Sequence, residues 1–433
     1  METFDAEMRI ELLNESFCTV KEKKESSIQQ GYTIYLVDYN KEEYILKWYD
    51  KPRHHNFYEK LQFLIDKCAP SSSFLWPEAL TKELNGSFGY LIKEIPQGYI
   101  GIGDYLISKS KFESVDALLD ACIHICSVYM QNDLWGKHFY NVEHDTFLIN
   151  PATGDVIVNW HYSLYRLNRE QENYLCHYHY RAPELIENSD MRENVYTDAF
   201  SLATVLFNII FLNYPFEGAK YLSNTVITEK CIKTLYNKDA IFMMDPSDSS
   251  NGPVKGFNNS VLRRWHLFPK ILREAFIATF SKEAMHDPSK RIMPRQWLQT
   301  IIQVKSMFAT CPHCSNKTFI IPGEFCTCTK CKKYIPQIPV LKMNLGYSIP
   351  LVPGQYIYMC QTSLSYDCTT SYGKVIRSSK NPNLWGIRNL SGKQWIVNLP
   401  NGTEKLIDPN NVMPVQTGLI IRFPSGYKGE III

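Results

Sequence analysis

Along the first 95 residues apolar and polar positions alternate in short runs, separated by turn signals. Tyr32-Thr-Ile-Tyr-Leu-Val-Asp and Glu43-Tyr-Ile-Leu-Lys-Trp-Tyr flank Asn40-Lys-Glu, which predicts a hairpin of two strands. Phe57, Leu61, Leu64 and Ile65 fall at helical spacing and predict a helix from about His55 to Lys67. Asn85-Gly86 marks a tight turn ahead of another strand, Phe88 to Ile95. The opening segment reads as a small, mostly antiparallel sheet with one helix.

From Gly101 the pattern becomes helical. Val115 to Met130 is amphipathic, and Asp198 to Leu212 is apolar almost all round, as a buried central helix would be. Between them Phe147-Leu-Ile-Asn and Val156-Ile-Val-Asn-Trp form a second hairpin across Pro151-Ala-Thr-Gly-Asp. Helices are predicted again over Phe268 to Phe280 and Pro294 to Phe308. Ser247 to Asn259, rich in Ser, Asn, Asp, Gly and Pro, reads as a long surface loop. Strands return near the C-terminus around turns at Asn383-Leu-Trp-Gly, Asn389-Leu-Ser-Gly and Pro400-Asn-Gly.

Composition narrows the class. At about 150 residues per domain, 433 residues imply two or three domains. With 45% apolar and 21% charged residues the chain forms cores and is not disordered. Lys and Arg number 46 against 44 acids, a net charge of +2, so no global field favours nucleic acid or an anionic membrane as the main partner. The longest apolar run, Ala199 to Leu212, is interrupted by Ser201, Thr204 and Asn208 and is shorter than a membrane span. The N-terminus carries acids where a secretory signal needs bases. Five of the 13 cysteines crowd between Cys311 and Cys331. A cytoplasmic chain with one local metal site, rather than a disulfide framework, is expected, which leaves nine of the 13 cysteines as free thiols once four serve as metal ligands.

Five positions then follow in order. Lys47 lies on a strand in Tyr44-Ile-Leu-Lys-Trp, Glu59 on the next helix, and Glu184 in Ala182-Pro183-Glu184. Asp198 opens the apolar helix, and Arg291 ends Asp287-Pro-Ser-Lys-Arg. This order resembles a protein kinase: a strand lysine for nucleotide phosphates, its glutamate partner, and a structural glutamate paired with an arginine. More closely, the chain resembles bacterial kinase-like proteins encoded with tellurite-resistance-type von Willebrand A proteins (the TerY group) and a metal-dependent phosphatase. Tyr44-Ile-Leu-Lys-Trp-Tyr, Ser73-Phe-Leu-Trp-Pro, Phe147 to Val158, Thr197-Asp-Ala-Phe-Ser-Leu-Ala and Tyr214-Pro-Phe-Glu-Gly carry that resemblance. So do Phe242-Met-Met-Asp-Pro, Asp287-Pro-Ser-Lys-Arg and Asn383-Leu-Trp-Gly-Ile-Arg-Asn-Leu-Ser. It implies an α+β chain: a two-lobed kinase-like fold (N-lobe 1–95, C-lobe 96–308), then a zinc ribbon (309–336) and a small all-β sandwich (337–433).

The departures fall on catalysis. The family's catalytic aspartate and metal-binding asparagine align with Asn141 and Thr146. Its second metal-binding aspartate aligns with Trp160, or with Asn159 if the register slips by one. An amide cannot accept the hydroxyl proton, and none of these side chains offers magnesium a carboxylate. Of the glycine-rich loop only Gly31 remains in Lys24-Glu-Ser-Ser-Ile-Gln-Gln-Gly, and Cys176-His-Tyr-His-Tyr-Arg lacks the usual small hydroxyl residue. Lys47, Glu59 and Gly31 are the nucleotide-binding candidates, with ATP the implied nucleotide. Glu143, His144, Asp145 and Asp155 are the residues from which a displaced base or metal ligand could come.

Cys311-Pro-His-Cys314 and Cys328-Thr-Lys-Cys331 are paired Cys-x-x-Cys knuckles, a spacing suited to structural zinc. His313 and Cys326 are additional ligand candidates. Lys317, Lys330, Lys332 and Lys333 are too few to predict nucleic-acid binding, and a structural staple between domains is expected. The tail, around Gly373-Lys-Val and Asn401-Gly402-Thr403, resembles a forkhead-associated domain; Arg388 is present, but its Ser-x-x-His phosphothreonine element is not. The expected function is a pseudokinase acting as regulatory scaffold in bacterial phospho-signalling or stress response. A von Willebrand A-type protein and a metal-dependent phosphatase are the partners implied by resemblance. The alternatives are a divergent Ser/Thr protein kinase using ATP and magnesium, and a zinc-ribbon nucleic-acid adaptor.

Overall fold

The computed structural model describes residues 4–27, 31–50, 57–159, 178–188, 190–365, 367, 369–381 and 384–433. The chain divides into two compact units. One contains Met1–Lys111, Val128–Pro151 and Asp155–Ser201; the other contains Phe112–Ser127, Ala152–Gly154 and Leu202–Ile433.

The first unit opens with strands β1 (Arg9–Glu11), β2 (Phe17–Ser27), β3 (Tyr32–Tyr39) and β4 (Glu42–Tyr49), followed by helix α1 (Phe57–Lys67). Strands β5 (Phe74–Leu75), β6 (Ala79–Leu80), β7 (Phe88–Lys93) and β8 (Ile100–Gly101) follow, then helix α2 (Ile102–Leu106). The main sheet is antiparallel with order β1-β2-β3-β4-β7-β6. The predicted hairpin is β3–β4, turned by Asn40 and Lys41, both at positive φ (51° and 68°), the conformation whose twist matches paired strands. Alternation then sorts β4. Leu46 and Trp48 face a core with Tyr35, Val37 and Leu91, while Lys47 and Tyr49 face the side on which Phe57 of α1 packs at 5.1 Å from the Tyr49 ring.

A second sheet, ordered β5-β10-β9-β8, contains the other predicted hairpin, β9 (Phe147–Ile149) and β10 (Val156–Asn159). Helix α3 (Val115–Leu134) is a turn longer than its pattern predicted, and α4 (Pro183–Glu187) precedes α5 (Val195–Phe211). Within the second unit the turn of the β9–β10 hairpin meets α3: His124 Nδ1 lies 2.9 Å from the Gly154 carbonyl. A Cβ on Gly154 would stand 2.2 Å from the Ala117 carbonyl, so this glycine is demanded by close approach as well as by its φ of +81°.

The second unit packs the C-terminal part of α5 among aromatic rings. Phe207 meets Phe276 at 5.4 Å, and Phe211 meets Trp265 at 5.2 Å. The segment 247–259 departs from a surface loop. Asn251 and Asn258 are buried, and Asn251 donates to the Phe216 and Ile241 carbonyls and accepts from the Lys220 N–H. Asn258 donates to the Glu217 carbonyl. Polar composition here marks amides that tie backbone together, not contact with water.

Helix Pro294–Met307 carries polar side chains inward. Gln303 bonds the backbone of Ser348 in both directions, Ser306 Oγ accepts from Gln361, and Lys305 pairs with Asp120 of α3. The Gln303 and Ser306 contacts fasten the tail onto this helix, and Leu202–Ile433 lie in one compact unit. The tail itself is two antiparallel sheets, of six strands and four strands. Ile357, Val375, Ile387 and Met413 of the smaller sheet, and Leu341, Val397, Ile421 and Ile431 of the larger, are buried. Among the described residues no helix is long and apolar enough to cross a membrane.

Candidate metal centre and the loop held by Asp198

The four knuckle cysteines converge. The sulfurs of Cys311, Cys314, Cys328 and Cys331 all lie within 4.8 Å of one another. Cys311 Sγ is 3.9 Å from Cys331 Sγ, and Cys314 Sγ is 3.6 Å from Cys328 Sγ. A tetrahedron with metal–sulfur bonds of about 2.3 Å has edges of about 3.8 Å, so the spacing fits one metal ion. Local backbone makes this arrangement. In the first knuckle the Ser315 N–H donates to the Cys311 carbonyl and the Cys311 N–H to Asn316; in the second, Lys332 donates to Cys328 and Cys328 to Lys333. Ser315 and Lys332, each directly after the second cysteine, share a left-handed φ of 61° and 59°. The two knuckles are copies of one turn.

The electrostatics favour a cation. The Asn316 N–H holds the Cys314 thiol down to about 6. The Lys333 N–H favours a Cys331 thiolate, yet burial and the three neighbouring sulfurs push that thiol up to about 11. Thiolates crowd one another until a metal ion neutralises them. The two additional candidates stay outside the cluster. His313 Nε2 lies 2.8 Å from the Tyr334 carbonyl, and Cys326 Sγ accepts from the Ile321 N–H. Of the nine cysteines expected as free thiols, Cys18, Cys68, Cys122, Cys126, Cys231 and Cys326 are free. Cys360 is disulfide-bonded, which corrects that expectation, and Cys176 and Cys368 lie outside the described residues.

Asp198 is buried at the start of α5, where it accepts from the Phe139 N–H at 3.0 Å and meets His138 Nδ1 at 2.9 Å. Burial raises the Asp198 carboxyl to about 6, and the same hydrogen bond raises the His138 imidazole. The loop that follows is closed by Thr146, whose buried hydroxyl accepts from the Glu143 N–H while its own N–H donates to the Glu143 carbonyl. Thr146 is therefore a turn-closing residue. Asn141 donates its amide to Glu143 Oε1 at 2.7 Å. Burial, then the charge of Asp145, pushes the Glu143 carboxyl up to about 7. Burial, then His179, lowers the His144 imidazole, whose ring meets Tyr180 at 5.9 Å.

Lys47 is 8% exposed. Its ammonium sits 4.0 Å from the Tyr32 ring centre and 5.8 Å from that of Tyr49. Burial pulls it down to about 7. No carboxylate pairs with it among the described residues, and Glu59 is exposed, which corrects the expected ion pair. The helix phase explains this: at about 100° per residue Glu59 stands roughly 200° from Phe57, opposite the buried face. Gly31 occupies a left-handed turn at φ +69°, open to solvent on the side a Cβ would take. Arg291 is buried and its Nε donates to the Ala284 carbonyl; Glu184, in the first turn of α4, is half-buried and belongs to the other unit. Asn159 ends β10 and its N–H donates to the Thr146 carbonyl. Trp160, the other position that the resemblance aligns with a metal-binding aspartate, and Cys176 lie outside the described residues, as does Asn383.

His138, the Asn141–Glu143 bond and the tyrosines around Lys47 escaped the sequence reading. Only the first left a signal: a carboxylate on an otherwise apolar helix needs a buried partner. No protein-family model matches the chain, and no curated protein is significantly similar to it.

Proposed function

We propose that the chain is a bacterial cytoplasmic pseudokinase: a kinase-like fold kept as a regulatory scaffold, with a structural zinc ion in the four-cysteine centre. Its partners would be those the resemblance implies, a von Willebrand A-type protein and a metal-dependent phosphatase. The strand order of the first sheet, with α1 inserted between the Lys47 strand and the last two strands, supports the kinase-like reading. A buried carboxylate pinning the loop before the second hairpin supports it too. The observation that carries the loss of catalysis is Asn141. Its side chain is an amide, already committed as a donor to Glu143, so nothing at that position can take a hydroxyl proton.

Lys47 keeps an ammonium without a carboxylate partner among the described residues, a setting that suits a bound phosphate. Thermal-shift titration with ATP tests this. The expected result is stabilisation by ATP that is independent of magnesium and disappears in Lys47→Ala. Stabilisation that requires magnesium would contradict it.

Glu143 favours a second reading, the divergent ATP- and magnesium-dependent Ser/Thr kinase. A carboxyl held near neutrality beside the vacated base position is suited to general-base work. Phosphate transfer that is lost in Glu143→Gln would establish that reading over the first.

A further inference from the structure

Balanced charge over the whole chain argued against nucleic acid, but the balance fails locally on the second knuckle. The strands Cys326–Thr327 and Tyr334–Ile335 form a two-stranded hairpin whose alternation sends Cys326 and Ile335 into a buried cluster with Cys311, Cys328 and Ile338. Phe325, Thr327 and Tyr334 point the other way. Phe325 is 91% exposed, the most exposed large hydrophobic side chain among the described residues. Tyr334 is 50% exposed, and the two ring centres are 6.0 Å apart. Burying a phenylalanine is favourable; this ring forgoes that gain on a hairpin anchored by the four-cysteine centre.

Three lysines lie between the two rings along the chain. Lys330, Lys332 and Lys333 are exposed. Lys330 donates to the Asn316 side-chain oxygen, and Lys332 and Lys333 have no acidic partner among the described residues. Lys317 is already taken by Asp116. Glu324 is the single acid between Cys311 and Pro336. We infer that this face binds single-stranded nucleic acid, a base stacking on Phe325 beside Tyr334 and phosphates lying against Lys330, Lys332 and Lys333. Exposed rings and, on the same short segment, lysines without an acidic partner among the described residues complement both parts of a nucleotide, whereas an acidic peptide would satisfy the lysines alone. The inference does not depend on the kinase-like reading.

Fluorescence anisotropy of the full, zinc-loaded chain with labelled oligothymidylate and oligouridylate, each of about twelve nucleotides, tests it. Binding is expected, with log affinity falling against log salt with a slope of about −2, for three phosphate contacts. Phe325→Ala should weaken binding about tenfold while leaving the salt slope unchanged. Lys332→Glu with Lys333→Glu should weaken binding and flatten the slope to about −0.7. Zinc content, measured by a chromogenic chelator, should stay at one per chain in all variants, separating lost contact from lost fold. Three results would overturn the inference: no binding of either strand at low salt, Phe325→Ala binding as the parent does, or poly-glutamate competing as well as the oligonucleotide.

Discussion

Lys47 shows most clearly what a single side chain costs and what it is kept for. In the folded chain its ammonium is held near 7, well below the unfolded value of about 10.4. The native state therefore binds fewer protons than the unfolded state between those limits, so stability falls as pH drops from about 10 towards 7. Lys47→Met should remove that dependence and raise stability at pH 7 by roughly 3 kcal/mol. Denaturant unfolding at pH 7 and at pH 10 measures both. A variant less stable than the parent at pH 7 would mean the ammonium is not isolated. Asn251 works in the opposite sense. Asn251→Ala would strand two buried carbonyls and one N–H, and should cost about 3 kcal/mol in the same measurement. Neither environment was legible in the chain. The Tyr32–Tyr49 pairing around Lys47 needs the strand register, and the carbonyls that Asn251 reaches belong to residues 35 and 10 positions away. Period and spacing report local geometry; they do not report which distant carbonyl an amide will meet.

At the scale of elements, runs and spacings were legible because α1 buries one face at helical period and α5 is buried all round, as its apolar run predicts. The two hairpins, α1, α3 and α5 follow their apolar patterns, with ends displaced by a few residues where fraying and caps decide. The knuckles were legible because Cys-x-x-Cys is a local turn, and both copies adopt it. Helix Pro294–Met307 was legible as a helix but not as a fastening. Its Lys305 is 6% exposed as a side chain and pairs with Asp120, 16% exposed. Breaking this pair from one side leaves a buried charge, so Asp120→Ala should cost about 3 kcal/mol, and adding Lys305→Met should restore most of it. A double-mutant cycle by thermal denaturation reads the coupling. Additive losses would show that the pair contributes no coupling. Cys314→Ser tests the metal centre in the same way: it should lose the bound ion, as metal analysis would record, and lower the melting temperature by several degrees.

For the whole molecule, the α+β character and the cysteine cluster stood out from the sequence, but the grouping of parts did not. The ribbon and the tail belong to one compact unit with the later helices, and Gln303 and Ser306 hold the tail at Ser348 and Gln361. That arrangement is compatible with the proposed scaffold role. We propose a kinase-like fold in which Asn141 and Thr146 stand in place of the groups that would move a proton and hold magnesium. It is tested most directly by incubating the full chain with γ-labelled ATP, magnesium or manganese, and generic protein substrates, then measuring label incorporated into protein. The expected result is no incorporation above that of Lys47→Ala. Incorporation that depends on Lys47 and on the metal would contradict it.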